Sequence, residues 1–283
     1  MRIFAALLLM VATIATAPAL AAEEARPERI VSLNLCTDQL LIALAEPGRI
    51  AALSHLSRDP DISYYAEAAR AFPSVPPDAH AVMRHEPDLV LAMQHSARNT
   101  VALLERLGYR VLDLPVAERL ADVGAQIRAL ARALGEVARG EALIAEMEAA
   151  LAALDPQPST NQPTAIVYQA NGFTIGAPSL VDDLLAAAGF HNLARDLRLT
   201  RQGRLPLEAL IYADPDLLII EEARVGSPSL ADQLLRHPVL ERARPRSTVR
   251  VSADLWTCGG PFSVEASRRL AALRALAPWE DAR

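Results

Sequence analysis

The chain has 283 residues, 52% of them apolar, with 34 acidic against 28 basic side chains and a formal net charge of −6 at pH 7. That balance excludes a basic nucleic-acid-binding surface as the organising feature, and the apolar share supports sizeable cores rather than a disordered chain. Every basic side chain is Arg, whose planar fork matters wherever a carboxylate or phosphate meets it.

Residues 1–21 read as an export leader: Arg2 is the charged start, IFAALLLMVATIATA the apolar run, and Ala19-Leu20-Ala21 an A-x-A cleavage site. Cleavage after Ala21 is expected to leave a mature chain of about 260 residues, soluble in a Gram-negative periplasm, because no later stretch holds the roughly 20 apolar residues needed to cross a bilayer. No cysteine follows the cleavage site, so a lipid anchor is not expected.

From Arg29 to Pro115 short apolar runs alternate with helical patterns. RIVSLN, RIAALS, PDLVLAM and YRVLDLP read as strands, and TDQLLIALA and SARNTVALLERLG as helices, the second ending at Gly108. This alternation predicts a parallel sheet covered on both faces. The stretch 117–155 reads as almost pure helix, broken at Gly135 and Gly140, with one helix to about Leu134 and a longer one from Glu136 to Leu154. DPQPSTNQP is a loop by composition. The alternation then resumes with strands TAIVYQA, PDLLIIE and STVRVSA and helices SLVDDLLAAAG, capped by Ser179, and LEALIYA. HEPDLVLA and ADPDLLII share a Pro-Asp-Leu entry into an apolar strand, one on each side of the helical stretch. The expected fold class is therefore α/β, with two Rossmann-like lobes at 22–116 and 156–283 joined by a helical connector.

RIVSLNLCTDQLLIALAEPGRIAALS, PDLVLA, APSLVDDLLAAAGFHNLA and LPLEALIYADPDLLII, in that order, resemble the substrate-binding proteins of iron-chelate and vitamin B12 ABC importers. The resemblance covers about Arg29 to Leu276, with Phe190 standing where the family pattern has a second Gly. It implies two lobes held by a rigid interlobe helix, a ligand cleft between them, and modest opening and closing. It also implies an importer permease as partner, a small-molecule metal chelate as cargo, a monomer, and no intrinsic cofactor.

Ligands of open parallel sheets bind outside the carboxyl ends of strands. The candidate contacts are thus Asn34, Cys36, Thr37, His55, Arg58, Met93, His95 and Arg98 on the first lobe, and Asn171, Phe173, Arg201, Arg204, Trp256 and Cys258 on the second. The first turn lacks the glycines of a nucleotide phosphate loop. Asp38 reads most simply as a first-turn carboxylate favoured by the helix dipole. For Cys36 and Cys258 three readings stand open: a disulfide across the lobes, thiolate contact to a ligand or metal, and inert buried thiols.

Vitamin-binding relatives surround the corrin with aromatic rings, whereas Leu56, Ser74 and Met93 occupy those positions here. Four arginines, Arg58, Arg98, Arg201 and Arg204, suit an anionic, oxygen-rich ferric siderophore, with haem and cobalamin as further candidates. In relatives a glutamate on each lobe, seven residues before the Pro of the Pro-Asp motif, meets arginines of the permease. That position is Glu208 in the second half and His80 in the first, with Asp78 and Glu86 nearby. A bare transition-metal carrier using His, Cys and Met ligands is the alternative. An exported hydrolase built on a Cys36–His55 pair has no third orienting group or known motif behind it, so no enzymatic activity is expected. A sensor on the same fold is compatible with the same residues.

Overall fold

Runs rich in Ile, Val and Leu, bounded by Pro, Asp or Gly, become strands buried on both faces. The computed structural model describes residues 26–154, 162–221, 233–242, 247–276 and 279; the expected leader and most of the 155–163 segment lie outside them. In the first lobe β1 (Ile30–Ser32), β2 (Ile50–Ser54) and β4 (Leu89–Met93) are buried almost throughout, as parallel strands flanked by helices require. With β3 (Ser74–Val75) and β5 (Val111–Leu114) they form a parallel sheet of order β3-β2-β1-β4-β5. Its helices are α1 (Leu35–Leu44), α2 (Ala66–Ala69), α3 (Ala79–Met83) and α4 (Arg98–Arg106). α1 starts at Asn34, whose side-chain oxygen accepts from the Cys36 N–H at 2.9 Å, and it buries Leu35, Leu40, Leu41 and Leu44. α4 stops at Gly108, which takes φ +86° while Tyr109 N–H returns to the Leu104 carbonyl.

The connector is a helical hairpin, α5 (Leu120–Leu134) and α6 (Val137–Ala152), turned by Gly135 at φ +70°. Its helices touch closely: a Cβ on Gly140 would lie 2.5 Å from that of Ala131. α5 packs on α1 and β5 of the first lobe and on a helix of the second, so it is an element in contact with both. Arg49, buried at the start of β2, fastens the hairpin turn to the first lobe. Its guanidinium donates to the carbonyls of Pro27 and Leu134, both at 2.7 Å, and to Glu136 at 2.8 Å.

The second lobe contains β6 (Thr164–Tyr168), β7 (Phe173–Ile175), α7 (Leu180–Ala187), β8 (His191–Asn192), β9 (Gln202–Arg204), α8 (Leu207–Ala213), β10 (Leu217–Glu221), α9 (Pro238–Arg242), β11 (Ser247–Val251) and α10 (Val264–Leu276). The sheet runs β11-β10-β6-β7-β9, with β8 also pairing β6. β7 is antiparallel to β6 and to β9, so this sheet is mixed where the βα alternation predicts a parallel one. The cause is the Asn171-Gly172 turn, where both residues take positive φ, +59° and +73°, and fold the chain straight back. Ser179 caps α7 by accepting from Asp182 N–H at 3.1 Å. Gly189 ends the segment at φ +82°, and Phe190 enters the core against the edge of Trp279.

The repeated Pro-Asp-Leu has the same function in both lobes. Asp88 accepts from the backbone N–H groups of Glu28 and Arg29 at 2.6 and 3.0 Å, and Asp216 from the backbone and hydroxyl of Thr164, each at 2.8 Å. Each Asp thus pins the start of its lobe's first strand. A single apolar cluster, including Leu41, Leu114, Ile127, Leu130, Val167 and Leu184, runs from one lobe through the connector into the other.

Candidate functional site

The carboxyl ends of the two sheets meet along one seam. Cys36 lies just beyond β1 and Cys258 beyond β11; they form a disulfide with Cα atoms 5.1 Å apart. Of the three readings open for the cysteines, the structure adopts the first. Both sulfurs are committed to the bond and Cys258 is buried, so thiolate contact to a ligand is corrected for both residues.

Beside this bond lies an open pocket of about 360 Å³, lined by Val116, Ala117 and Glu118 from the segment after β5 and by Ile175, Leu180, Val181, Arg201, Gln202, Trp256 and Thr257 from the second lobe. Two consecutive residues tie its walls together. Glu118 meets Arg201 through two contacts, 2.6 and 3.0 Å. Arg119 forks onto Asp183 at 2.9 and 3.2 Å, and the same carboxylate accepts the Leu120 N–H at 3.0 Å. The Glu118–Arg201 pair is exposed, so it fixes geometry more than it adds stability, whereas the Asp183 carboxylate of the second pair is mostly buried.

The other predicted contacts divide by depth. His55, Arg58, His95, Arg98, Asn171 and Arg204 are exposed, Asn34 and Phe173 partly so. Arg58 donates to the carbonyl of Phe72. Arg204 lies over the Phe173 ring at 5.8 Å and donates to the Asn171 carbonyl, which keeps these three second-lobe residues together. Three residues are inside instead. Thr37 is fully buried, bonded to Ser32 Oγ at 2.7 Å and donating to the Asn34 carbonyl. Met93 is buried because it closes β4, all of whose residues lie inside the sheet. Trp256 borders the pocket yet is only 5% exposed, so little of its ring is open to a ligand. Its Nε1 donates to Glu221 at 3.2 Å, which also accepts from Gln169 at 2.7 Å.

A family model described as periplasmic binding protein matches residues 30–244. The chain belongs to the periplasmic binding protein family. Within this family it is similar to a cobalamin-binding protein of Halobacterium salinarum, 28% identical over 201 residues, 69% of this chain and 54% of the other. It thus spans about half the length of that curated relative. Among solved structures it is similar to the periplasmic haem-binding protein RhuT of Roseiflexus sp. RS-1, with TM-score 0.73 and 27% identity over 87% of this chain and 97% of that one. The vitamin B12 binding protein BtuF of Vibrio cholerae shares the fold at TM-score 0.69 and 16% identity, over 89% and 98%.

Glu118, Gln169, Ile175 and Glu221 were not among the sequence candidates of this binding protein, because each reaches the seam only through contacts distant in sequence. Asp38 stands in the first turn of α1 as expected, but it does more than meet the helix dipole. It is wholly buried and accepts from Ser54 N–H at 3.1 Å and from the Ser54 hydroxyl, joining α1 to β2 beneath the rim. Burial pushes its carboxyl from the ordinary 3.8 up to about 7, against hydrogen bonds from Ser32 and Ser54 that pull it down. An acid held above its unfolded pKa contributes stability that is full below about pH 4 and lost as pH rises through about 7. Urea unfolding across that window should show a component falling by up to about 1.4 kcal/mol per pH unit. Asp38→Asn should flatten it; equal slopes in the two proteins would assign the dependence to other groups.

Proposed function

We propose that this periplasmic binding protein is the ligand-capturing component of an ABC importer, and that its cargo is an anionic metal chelate with an apolar body. The observation that carries this reading is the pocket at the seam, mostly apolar in its lining and edged by the Glu118–Arg201 pair, between two sheets whose strand carboxyl ends converge there. A ferric siderophore or a haem has the acidic rim that the Arg201 fork would take in exchange for the Glu118 carboxylate. A corrinoid fringed by neutral amides uses the arginines less, and the pocket offers few aromatic faces for it. Its support is the curated relative named as cobalamin-binding. Carriage of a bare metal ion is the weaker alternative: among the described residues no three His, Cys, Asp or Glu side chains are grouped to hold one.

Parallel titration of the purified chain with haemin, a ferric hydroxamate and cyanocobalamin, followed by tryptophan fluorescence, tests the assignment. Micromolar or tighter binding of either anionic chelate, weakened at least about tenfold by Arg201→Gln, supports it. Binding of cyanocobalamin alone, or a ligand affinity indifferent to Arg201, rejects it.

Delivery would use the outer ends of the lobes. Glu208 and His80 are the second residues of α8 and α3, the equivalent short helices before β10 and β4, and both are exposed. Asp78 is occupied as the cap of α3, accepting from Ala81 N–H at 2.9 Å, while Glu86 stands exposed at the end of the helix. Glu208→Ala should reduce chelate uptake several-fold in vesicles carrying the cognate permease and leave chelate affinity unchanged. Undiminished uptake at limiting binding protein would remove Glu208 from the docking surface.

A further inference from the structure

The seam is fastened by more than the connector. Around the Cys36–Cys258 bond, Leu35 and Phe262 are buried and Ile62 and Tyr65 pack against them. Tyr64 of the first lobe stacks on Phe262 of the second, ring centres 5.0 Å apart and planes within 14°, while Tyr65 meets the same ring edge-on at 5.9 Å. Gly260 makes room for that ring, since a Cβ there would lie 2.3 Å from it. Gly259 likewise lets the loop after β11 approach α5, where a Cβ would fall 2.4 Å from Val123. Trp256 and Thr257, which line the pocket, lead directly into Cys258. Covalent bond, aromatic contact and pocket wall therefore share one short strip of chain.

We propose that Cys36 and Cys258 are specificity-determining residues: their bond holds the two rims at a set spacing, so the site selects chelates compact enough to enter without parting the lobes on that side. The inference rests on the chelate-binding function above. Two lobes free to swing would be competent for only part of the time, and apparent affinity falls by that fraction. A cross-link removes this loss for a ligand that matches the gap and imposes distortion on one that exceeds it. Selection by spacing adds to the selection by charge assigned to Arg201.

The test compares the full chain with the double variant Cys36→Ala/Cys258→Ala, each titrated with haemin, a ferric hydroxamate and cyanocobalamin and each measured by small-angle X-ray scattering. If the unlinked lobes are competent about one time in ten, the best probe binds about tenfold more weakly to the variant. The preference among the three probes narrows and the scattering radius grows. Affinities within twofold, the same order of preference and an unchanged radius would overturn the proposal. Should the variant not fold, the native chain is titrated with a thiol reductant while free thiols are counted. Binding that follows the oxidised fraction supports the proposal, and binding independent of it overturns it. If the native chain binds none of the three probes, the chelate reading fails separately, and scattering still decides whether the bond sets the spacing.

Discussion

Removing both Cys36 and Cys258 will lower the free energy of unfolding by several kcal/mol. The bond joins positions 222 residues apart, and in the chain-entropy description a loop of that length corresponds to about 5 kcal/mol. For a chain of this size the expected fall in midpoint is roughly 10 to 20 °C. The Tyr64–Phe262 stack and the apolar cluster remain in the double variant, so the seam should loosen rather than dissolve. Calorimetry of the oxidised and doubly substituted chains checks this; midpoints within a few degrees would mean that the native connector and core carry the lobes without the cross-link.

Arg49→Met will be the most damaging single change away from the seam, costing about 3 kcal/mol, since removal of one partner of a buried ion pair typically costs 3–5. Arg49 is 3% exposed, and each of its three guanidinium nitrogens donates a hydrogen bond. Glu136 retains Arg26 as a partner, which places the loss at the lower end of that range. The carbonyl of Leu134, at the end of α5, is left without its charge-assisted donor. Arg49→Lys should recover less than half, because an ammonium cannot present the same fork to three acceptors. Glu136→Gln should cost less than Arg49→Met, as the two carbonyl contacts survive. Urea midpoints of the three variants test the ranking, and a mild Arg49→Met would show that β2 and the hairpin hold each other by apolar packing alone.

The α/β plan was legible because its central strands are written as uninterrupted apolar runs, and buried parallel strands need nothing subtler. The edges of the second sheet were not. FTI and QGR are three residues each, too short for a periodicity, yet the Asn171-Gly172 pair between TAIVYQA and FTI was a usable hairpin signal that the βα pattern obscured. The rim was legible to within one residue, and that was insufficient. Met93 closes the run PDLVLAM and was nonetheless counted among the contacts, although a residue at the end of a strand buried on both faces stays inside. Thr37 fell inside because its hydroxyl satisfies the backbone of its own turn. The Glu118–Arg201 pair joins positions 83 residues apart, and no local pattern announces such a partner.

The aspartates of the repeated motif bear on how the molecule comes into being. Asp88 reaches back 59 and 60 residues and Asp216 reaches back 52, each staying within its own half, whereas the cysteines must find each other over 222. Shorter closures lose less chain entropy and precede longer ones. The strand anchors of each half can therefore close before the cross-link does, and the receptacle, which needs the shared apolar cluster and both cysteines in place, is the last part to exist.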